Sequence, residues 1–474
     1  MARINTNVSA LVAQQGLSTS QGQLNTALQR LSTGLRINSG ADDPAGLIVS
    51  NQLQSEIAGI NQGVSNSTQA NNVIATAEGS LGEVSSLLLD IKGLVVESAN
   101  TGAESSDQIA ANQLQVDSAV QSITRIADST TFAGQHLIDG TLNYITSGVN
   151  TSQIKALNIA QADFGSAGAI PVDVHVITSA RPAELVFTAS QITSSVTLQI
   201  AGASGTQTLS FASGTQVSAI AFAVNRITDS TGVSATSLGA GFASGVAFQS
   251  TDFGSKNFVS ITAESGTFNT ADLNGNTKTR ATGVDAVATV NGAVTVGNGL
   301  NLDVNTSSLD LTLTLSKNFG AGTTQFAITG GGAEFQLGAE VVSDQQVSIG
   351  IGSVAADQLG NNDVGFLSDI TTGGASSLVS GNAEKASAIL DAAINQVSLL
   401  NGRLGAFQRN TLNTNIDSLN VALENVTSSN SDIADADFAK ETSNLTRAQI
   451  LVQAGTSVLS TANSLPQNVL KLLQ

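Results

Sequence analysis

The chain has 474 residues, no cysteine, no tryptophan and a formal charge of −18, from 18 Lys and Arg against 36 Asp and Glu. Such an excess of acid argues against nucleic acid, whose binding rests on phosphate neutralisation, and against an anionic membrane surface; the absence of Cys excludes disulfides, thiolate metal sites and thiol nucleophiles. The longest purely apolar run, Ala219–Val224, is far too short to span a bilayer, and the opening MARINTNVSALVAQQG lacks the apolar core and small-residue site of a cleavable secretory signal.

Composition divides the chain into three. Residues 1–145 and the stretch after 375 are rich in Gln, Asn, Ser, Ala and Leu at helical spacing; residues 150–375 are rich in Gly, Thr, Val and Phe. The first arm carries Ile4, Val8, Leu11, Leu17, Leu24, Leu28, Leu31 and Leu35. A long helix is predicted from Ala45 to Asn100. Leu53, Ile60, Ile74, Leu81, Leu88 and Val95 fall on one seven-residue series broken only by Ser67, with Ala70, Ala77, Val84 and Ile91 as companions. At ~1.5 Å per residue it is roughly 80 Å long, too long for a compact globule. A shorter helix follows, with Ile109, Val116, Val120, Ile123 and Ala127 on its seam.

The middle reads as strands. Val172, Val174 and Val176 alternate, as do Val196, Leu198 and Ile200, then Leu309, Leu311, Leu313 and Leu315, and Asn-Gly at 274–275 and 291–292 marks turns. Val217, Ile220, Val224 and Ile227 predict a helix within it. One or two small β-rich domains are expected there. Beyond it, a helix opens on Ile389, Ile394 and Val397 and continues through Leu412, Ile416, Leu419 and Leu423. The last arm has the cleanest register: Phe438, Glu441, Leu445, Ala448, Val452, Gly455, Leu459 and Ala462, with Pro466 expected to end or kink it, or to start a final turn.

Each terminal arm has a narrow apolar seam and no adjoining core, which makes it marginal alone and favours the packing of many copies. Residues 1–40 contain Arg3, Arg30 and Arg36 and no acid, whereas the second arm opens with Asp432, Asp435, Asp437 and Glu441. Antiparallel pairing of the arms brings Arg30 and Arg36 beside those acids, and each group suits its own helix end.

The ends of the chain resemble bacterial flagellin. The matching stretches are LSTGLRINSGADDPAG at 31–46, the helix around QANNVIATAEGSLGEVSSLL, TTFAGQHLIDG at 130–140, and DIADADFAKETSNLTRAQILVQAGTSVLSTANSLPQNVLKLL at 432–473. The segment 208–235 looks like a short insertion motif of some flagellins and hook-associated proteins. The implied fold is α+β and multidomain: 1–44 with 433–474 as an inner terminal-helix domain, 45–165 with 376–432 as a long-helix bundle domain with a β-hairpin, and 166–375 as a variable β-rich outer region.

The implied function is a self-assembling, secreted, extracellular subunit of the bacterial flagellum filament, a structural protein of swimming motility and not an enzyme. Export proceeds without a cleavable signal peptide. The implied partners are copies of the chain itself, an export chaperone at the C-terminal arm, the filament cap and hook-associated proteins; nucleic acid, membrane insertion and cofactors are not expected. The assembly seam is Ile4, Val8, Leu11, Leu24, Leu28, Leu31, Leu35, Phe438, Leu445, Val452 and Leu459. The middle is expected to be dispensable for polymerisation. Rival readings are a hook–filament junction protein and a secreted adhesin with helical ends.

Other constellations read as structure rather than chemistry. Asp42 and Asp43 beside Pro44 suit a helix-capping turn. Asp432, Asp435 and Asp437 lack the Gly and distal Glu of a calcium loop. His136 and His175 lie in different regions with no HExxH, and Gly330–Gly332 is not followed by GK[ST]. One departure from the family stands out. Many flagellins are sensed by a vertebrate receptor of the Toll-like class through a stretch reading LQRVREL. Here the aligned stretch is LLDIKGL, Leu88 to Leu94, so Asp90 replaces the Arg and Gly93 replaces the acid.

Overall fold

The computed structural model describes residues 6–165, 167–238, 245–306 and 308–472, with side chains to 464. Among these the α-helices are, in chain order, α1 (Val8–Thr33), α2 (Pro44–Ser98), α3 (Ser106–Ser129), α4 (Val217–Asn225), α5 (Thr228–Thr231), α6 (Ala383–Phe407), α7 (Thr414–Ala434) and α8 (Phe438–Leu472). The protein is α+β, with helical regions built by the two chain ends and a β-rich region inserted between them. The chain forms two units, one of Met1–Gln69, Gln336–Val341 and Thr411–Gln474, the other of Ala70–Phe335 and Val342–Asn410.

In the second unit the upper part of α2 meets α3 and α6. The seven-residue series is buried from Ile74 through Leu81 and Leu88 to Val95, with Ala70, Ala77, Val84 and Ile91 beside it. Val116, Val120, Ile123 and Ala127 of α3, and Ile389, Ala393, Val397 and Leu404 of α6, are buried as well. Polar pins set the register. Lys92 Nζ donates to Ser387 Oγ at 2.6 Å and to Asp391 at 2.8 Å. Ser105 caps α3 in a reciprocal box with Gln108. The fully buried Gln113 donates to the Ile370 carbonyl and accepts from the Leu378 amide, holding the loop before α6.

The helix predicted through Leu412 is not regular throughout. Residues Gln408–Asn413 between α6 and α7 form a π-helical segment, which apolar spacing does not reveal because Leu412 stays buried. Pro466 neither ends nor starts a helix: α8 runs through it to Leu472. The carbonyl that Pro466 leaves without an intrahelical donor is that of Ala462, four residues back, and Asn7 Nδ2 donates to it at 2.7 Å.

Between α3 and the middle lies the hairpin Thr131–Phe132 with Gln135–His136. Its two loop residues, Ala133 (φ 50°) and Gly134 (φ 87°), both have positive φ, as a tight hairpin turn requires. Alanine has no side-chain hydrogen bond to offset the left-handed backbone. Ala133→Asn is expected to stabilise this unit by about 1 kcal/mol, measured as a raised midpoint of thermal unfolding.

The β-rich region holds two cores. In the first, a five-stranded antiparallel sheet runs in the order 293–296, 287–290, 170–178, 322–331, 144–147, and a three-stranded sheet in the order 301–305, 309–315, 154–162. Val172, Val174 and Val176 meet Leu311, Leu313 and Phe326 between them. The Asn291-Gly292 turn joins strands 287–290 and 293–296, and the Asn291 side chain also bonds the backbone of Pro171 and Asp173. In the second core, a four-stranded sheet (280–282, 258–265, 196–202, 205–211) and a three-stranded sheet (182–187, 245–253, 233–238) share Leu185, Leu198, Ile200 and Phe248 with Ile220 and Val224 of α4. The insertion-like segment 208–235 thus contributes strand, helix and strand to this second core.

Tyr144, the single tyrosine, locks one end of the first core. Its hydroxyl accepts from the Ala162 amide at 2.9 Å and pairs with Ser348 Oγ at 2.8 Å. A Cβ on Gly332 or Gly350 would lie 2.7 or 2.8 Å from its ring. Of the run Gly330–Gly332, Gly332 lies against the ring and Gly331 against the backbone of 143–145, both with positive φ.

Candidate assembly surface

Helices α1 and α8 pack antiparallel. Leu17 lies against Gly455, Arg30 Nη1 meets Glu441 Oε1 at 3.2 Å, and Asn7 reaches Ala462. Where the pair ends, the two chains cross as extended backbone. Arg36 N donates to Ala434 O at 2.7 Å and Ala436 N to Gly34 O at 2.9 Å, with Gly34 closing α1 in the left-handed conformation (φ 75°). Arg36 Nη2 donates to the Ile433 carbonyl at 2.5 Å and its Nη1 lies 3.9 Å from Asp43 Oδ2, so of the two arginines only Arg30 pairs with an acid of the second arm.

The carboxylates at the crossing serve as caps. Asp43 Oδ1 accepts from Gly46 N at the start of α2, whose first residue is Pro44. Asp437 Oδ1 accepts from the amides of Ala439 and Lys440 at the start of α8. Asp42 accepts from Ser39 and Asn38, and these bonds, the Ser39 hydroxyl foremost, hold its carboxyl below the usual carboxylate range. His136 and His175 are both exposed; His175 pairs with Thr323 Oγ1 on the neighbouring strand at 3.1 Å.

The predicted seam residues divide between two faces. On α8, Glu441, Ala448 and Ala462 are buried and Leu445, Val452, Gly455 and Leu459 half-buried, whereas Phe438 is 72% exposed. On α1, Ala27 is buried, Leu17, Leu24 and Leu31 are half-buried, and Val8, Leu11 and Leu28 are exposed. Leu35, just past α1, is half-buried in the backbone crossing. Ile4 lies outside the described residues.

The exposed positions are not scattered. Val8, Leu11 and Val12 are all open on α1, and Phe438, Ile450, Leu451 and Val458 are all open on α8. Phe438, Ile450 and Leu451 line an open groove with Thr442 and Arg447. Seven-residue counting missed Val12, Ile450, Leu451 and Val458. For Leu451 and Val458 the signal was the apolar doublets Leu451–Val452 and Val458–Leu459: adjacent helical residues are about 100° apart, so one member can face the partner arm while the other faces away, whereas the doublet Leu11–Val12 is open at both members. Asn7 had no local signal, since its second role depends on a carbonyl 455 positions away.

Family models agree with this layout. The bacterial flagellin N-terminal helical region matches residues 4–143 and the C-terminal helical region matches 387–473. The B-type flagellin of Pseudomonas aeruginosa is 31% identical over 99% of this chain and 99% of its own length. The chain belongs to the bacterial flagellins. A flagellin of Salmonella typhimurium is 30% identical and flagellin A of Vibrio cholerae 29% identical, each over 99% of both chains.

As a flagellin the protein is a structural subunit of the extracellular flagellar filament, which serves swimming motility. Full-length similarity to flagellins favours that reading over the junction protein and the adhesin. Among the described residues no helix is long and apolar enough to cross a membrane.

Two positions of the receptor-region departure lie on α2. Asp90 and Gly93 are both exposed, and a side chain at Gly93 would meet nothing within 4 Å. Lys92 between them is turned to Asp391 of α6.

Proposed function

We propose that copies of this flagellin join through the outward stripes of α1 and α8. The observation that supports this is the set Val8, Leu11, Val12, Phe438, Ile450, Leu451 and Val458, apolar and open on helices whose other faces are already used in pairing. Burial of such a set on association is favourable at roughly 25 cal/mol per Å² of apolar surface. A thin helical pair gains most of its order from such contacts. In this reading Leu24, Leu31, Leu445, Val452 and Leu459 hold the arms together, and the exposed residues hold subunits together.

By family resemblance, the chain is exported without a cleavable signal, an export chaperone covers the C-terminal arm until assembly, and the filament cap and hook-associated proteins are further partners. Electron microscopy of purified protein after seeding with sonicated filaments tests the reading. Long filaments are expected; discrete particles at every concentration would overturn it.

Asp90 and Gly93 carry a separate expectation. Replacing a planar guanidinium by a carboxylate removes its donors and reverses the local charge, and at the centre of an interface this costs several kcal/mol. Weak or absent activation of the Toll-like receptor by monomer is expected, with recovery in Asp90→Arg combined with Gly93→Glu. A reporter-cell dose series against a receptor-active flagellin provides the comparison, and potent signalling by the unmodified monomer would contradict it.

A further inference from the structure

Helix α2 carries Gly59 and Gly63, one turn apart, in the part that belongs to the same unit as the two arms. Glycine weakens a helix interior, and here both glycines make room for backbone. A Cβ at Gly59 would lie 2.9 Å from Ala339 O, and one at Gly63 would lie 3.0 Å from Leu337 O. At Gly79, Gly82 and Gly93 of the same helix a Cβ would meet nothing within 4 Å. The approaching segment is Gln336–Val341, a strap from the β-rich middle of the sequence that belongs to the unit of the arms.

The strap is fixed from several sides. Leu337 is 4% exposed. Asn415 Nδ2 of α7 donates to the Leu337 carbonyl at 2.9 Å and to Ser67 Oγ at 3.1 Å. Ser67, the single break in the apolar series of α2, is fully buried, and its hydroxyl helps aim the amide that holds the strap. Gln336 Nε2 donates to the carbonyls of Gly338 and Glu340 at 3.2 and 2.7 Å, which curls the strap on itself. At the end of this ordered segment stands Val341, 85% exposed, more open even than Phe438.

We propose that the strap is a subunit contact of the filament, and that it presents Val341 to a neighbouring copy of this chain. A second copy is the occupant because the unit that holds the strap also holds α1 and α8 with their open apolar stripes, and a filament subunit is surrounded by copies of itself. Val341 extends the same apolar chemistry on the same unit. The carbonyl just before it, Glu340 O, is held by Gln336 Nε2 at 2.7 Å, so little further freedom is lost on contact. The expectation that the middle is dispensable for polymerisation therefore does not extend to residues 336–341. This inference rests on the proposal that the arms of this unit assemble.

The test is seeded polymerisation of the full chain, with the critical concentration read by sedimentation. Val341→Asp is expected to raise it about tenfold or more, equivalent to a weakened subunit contact, while Val341→Ile leaves it unchanged. Because Val341 is exposed, the monomer's thermal unfolding should match the parent in both variants. Gly59→Val, which displaces the strap, is expected to raise the critical concentration as well and to speed amide exchange across 336–341. A Val341→Asp chain that polymerises within about twofold of the parent would overturn the proposal, as that margin lies well under the energy of a buried apolar contact. Failure of the parent chain itself to polymerise on seeds would remove the assembly reading together with this one, whereas an indifferent Val341→Asp removes only this one.

Discussion

Leu459→Asp is expected to abolish polymerisation while leaving the unit of residues 70–335 and 342–410 folded. Leu459 is half-buried on α8 between the Leu17–Gly455 and Asn7–Ala462 contacts, on the side turned to α1. Among the described residues no basic side chain is found at those two contacts; the acid–base pair of the arms, Arg30 with Glu441, lies at their other end. A carboxylate placed there loses water without gaining a partner, which costs several kcal/mol. The paired arms have only a two-helix interface to set against that cost, so they separate. Light scattering after seeding should stay flat across the concentrations at which the parent grows filaments. A melt followed on the β-rich region should be unchanged, because that unit's cores do not include the arms. Normal filaments from this variant would refute the role given to the inward face of α8.

The second large effect is expected at Gly350→Val. A Cβ there would lie 2.8 Å from Tyr144 Cδ2 and 2.7 Å from the Ile159 carbonyl oxygen, closer than atoms can pack, and a branched side chain adds further atoms. Tyr144 must then leave its slot, and the Ala162 amide loses the acceptor that satisfies it. Overpacking together with a buried unsatisfied donor costs about 3 kcal/mol. The readout is specific, since the chain has one tyrosine and no tryptophan. Loss of the near-ultraviolet circular dichroism band and a blue-shifted tyrosine excitation spectrum, as the buried ring enters water, report the displaced ring directly, and a lowered midpoint of thermal unfolding reports the cost. Gly352→Val, where a Cβ meets nothing within 4 Å, serves as the control and should change neither signal. An unchanged tyrosine signal in Gly350→Val would show that the slot has slack.

What was legible in the sequence was local. The seven-residue series from Leu53 to Val95 predicted α2 and its buried face, because burial on one helix side repeats with the helix's own period. Alternating Val172, Val174 and Val176 predicted a strand with one inward face for the same reason at period two. Asn291-Gly292 marked the turn between strands 287–290 and 293–296, since a two-residue hairpin loop needs two positive φ values. The motifs at both ends identified the family, and with it the filament. The sequence by itself also showed that Ser67 interrupts the series and that Gly59 and Gly63 weaken a helix, without showing why. Those reasons are tertiary. Ser67 is polar because Asn415 comes to it, and Gly59 and Gly63 are bare because the backbone of 337–339 lies against them. Pro466 sits within a continuous helix because Asn7 supplies the donor to Ala462. That Val452 and Leu459, rather than Leu451 and Val458, face the partner arm was likewise decided only by the packing. Periodicity records that a residue has an apolar face, but a contact between positions hundreds of residues apart leaves no period in the chain, and only the folded backbone brings the two together.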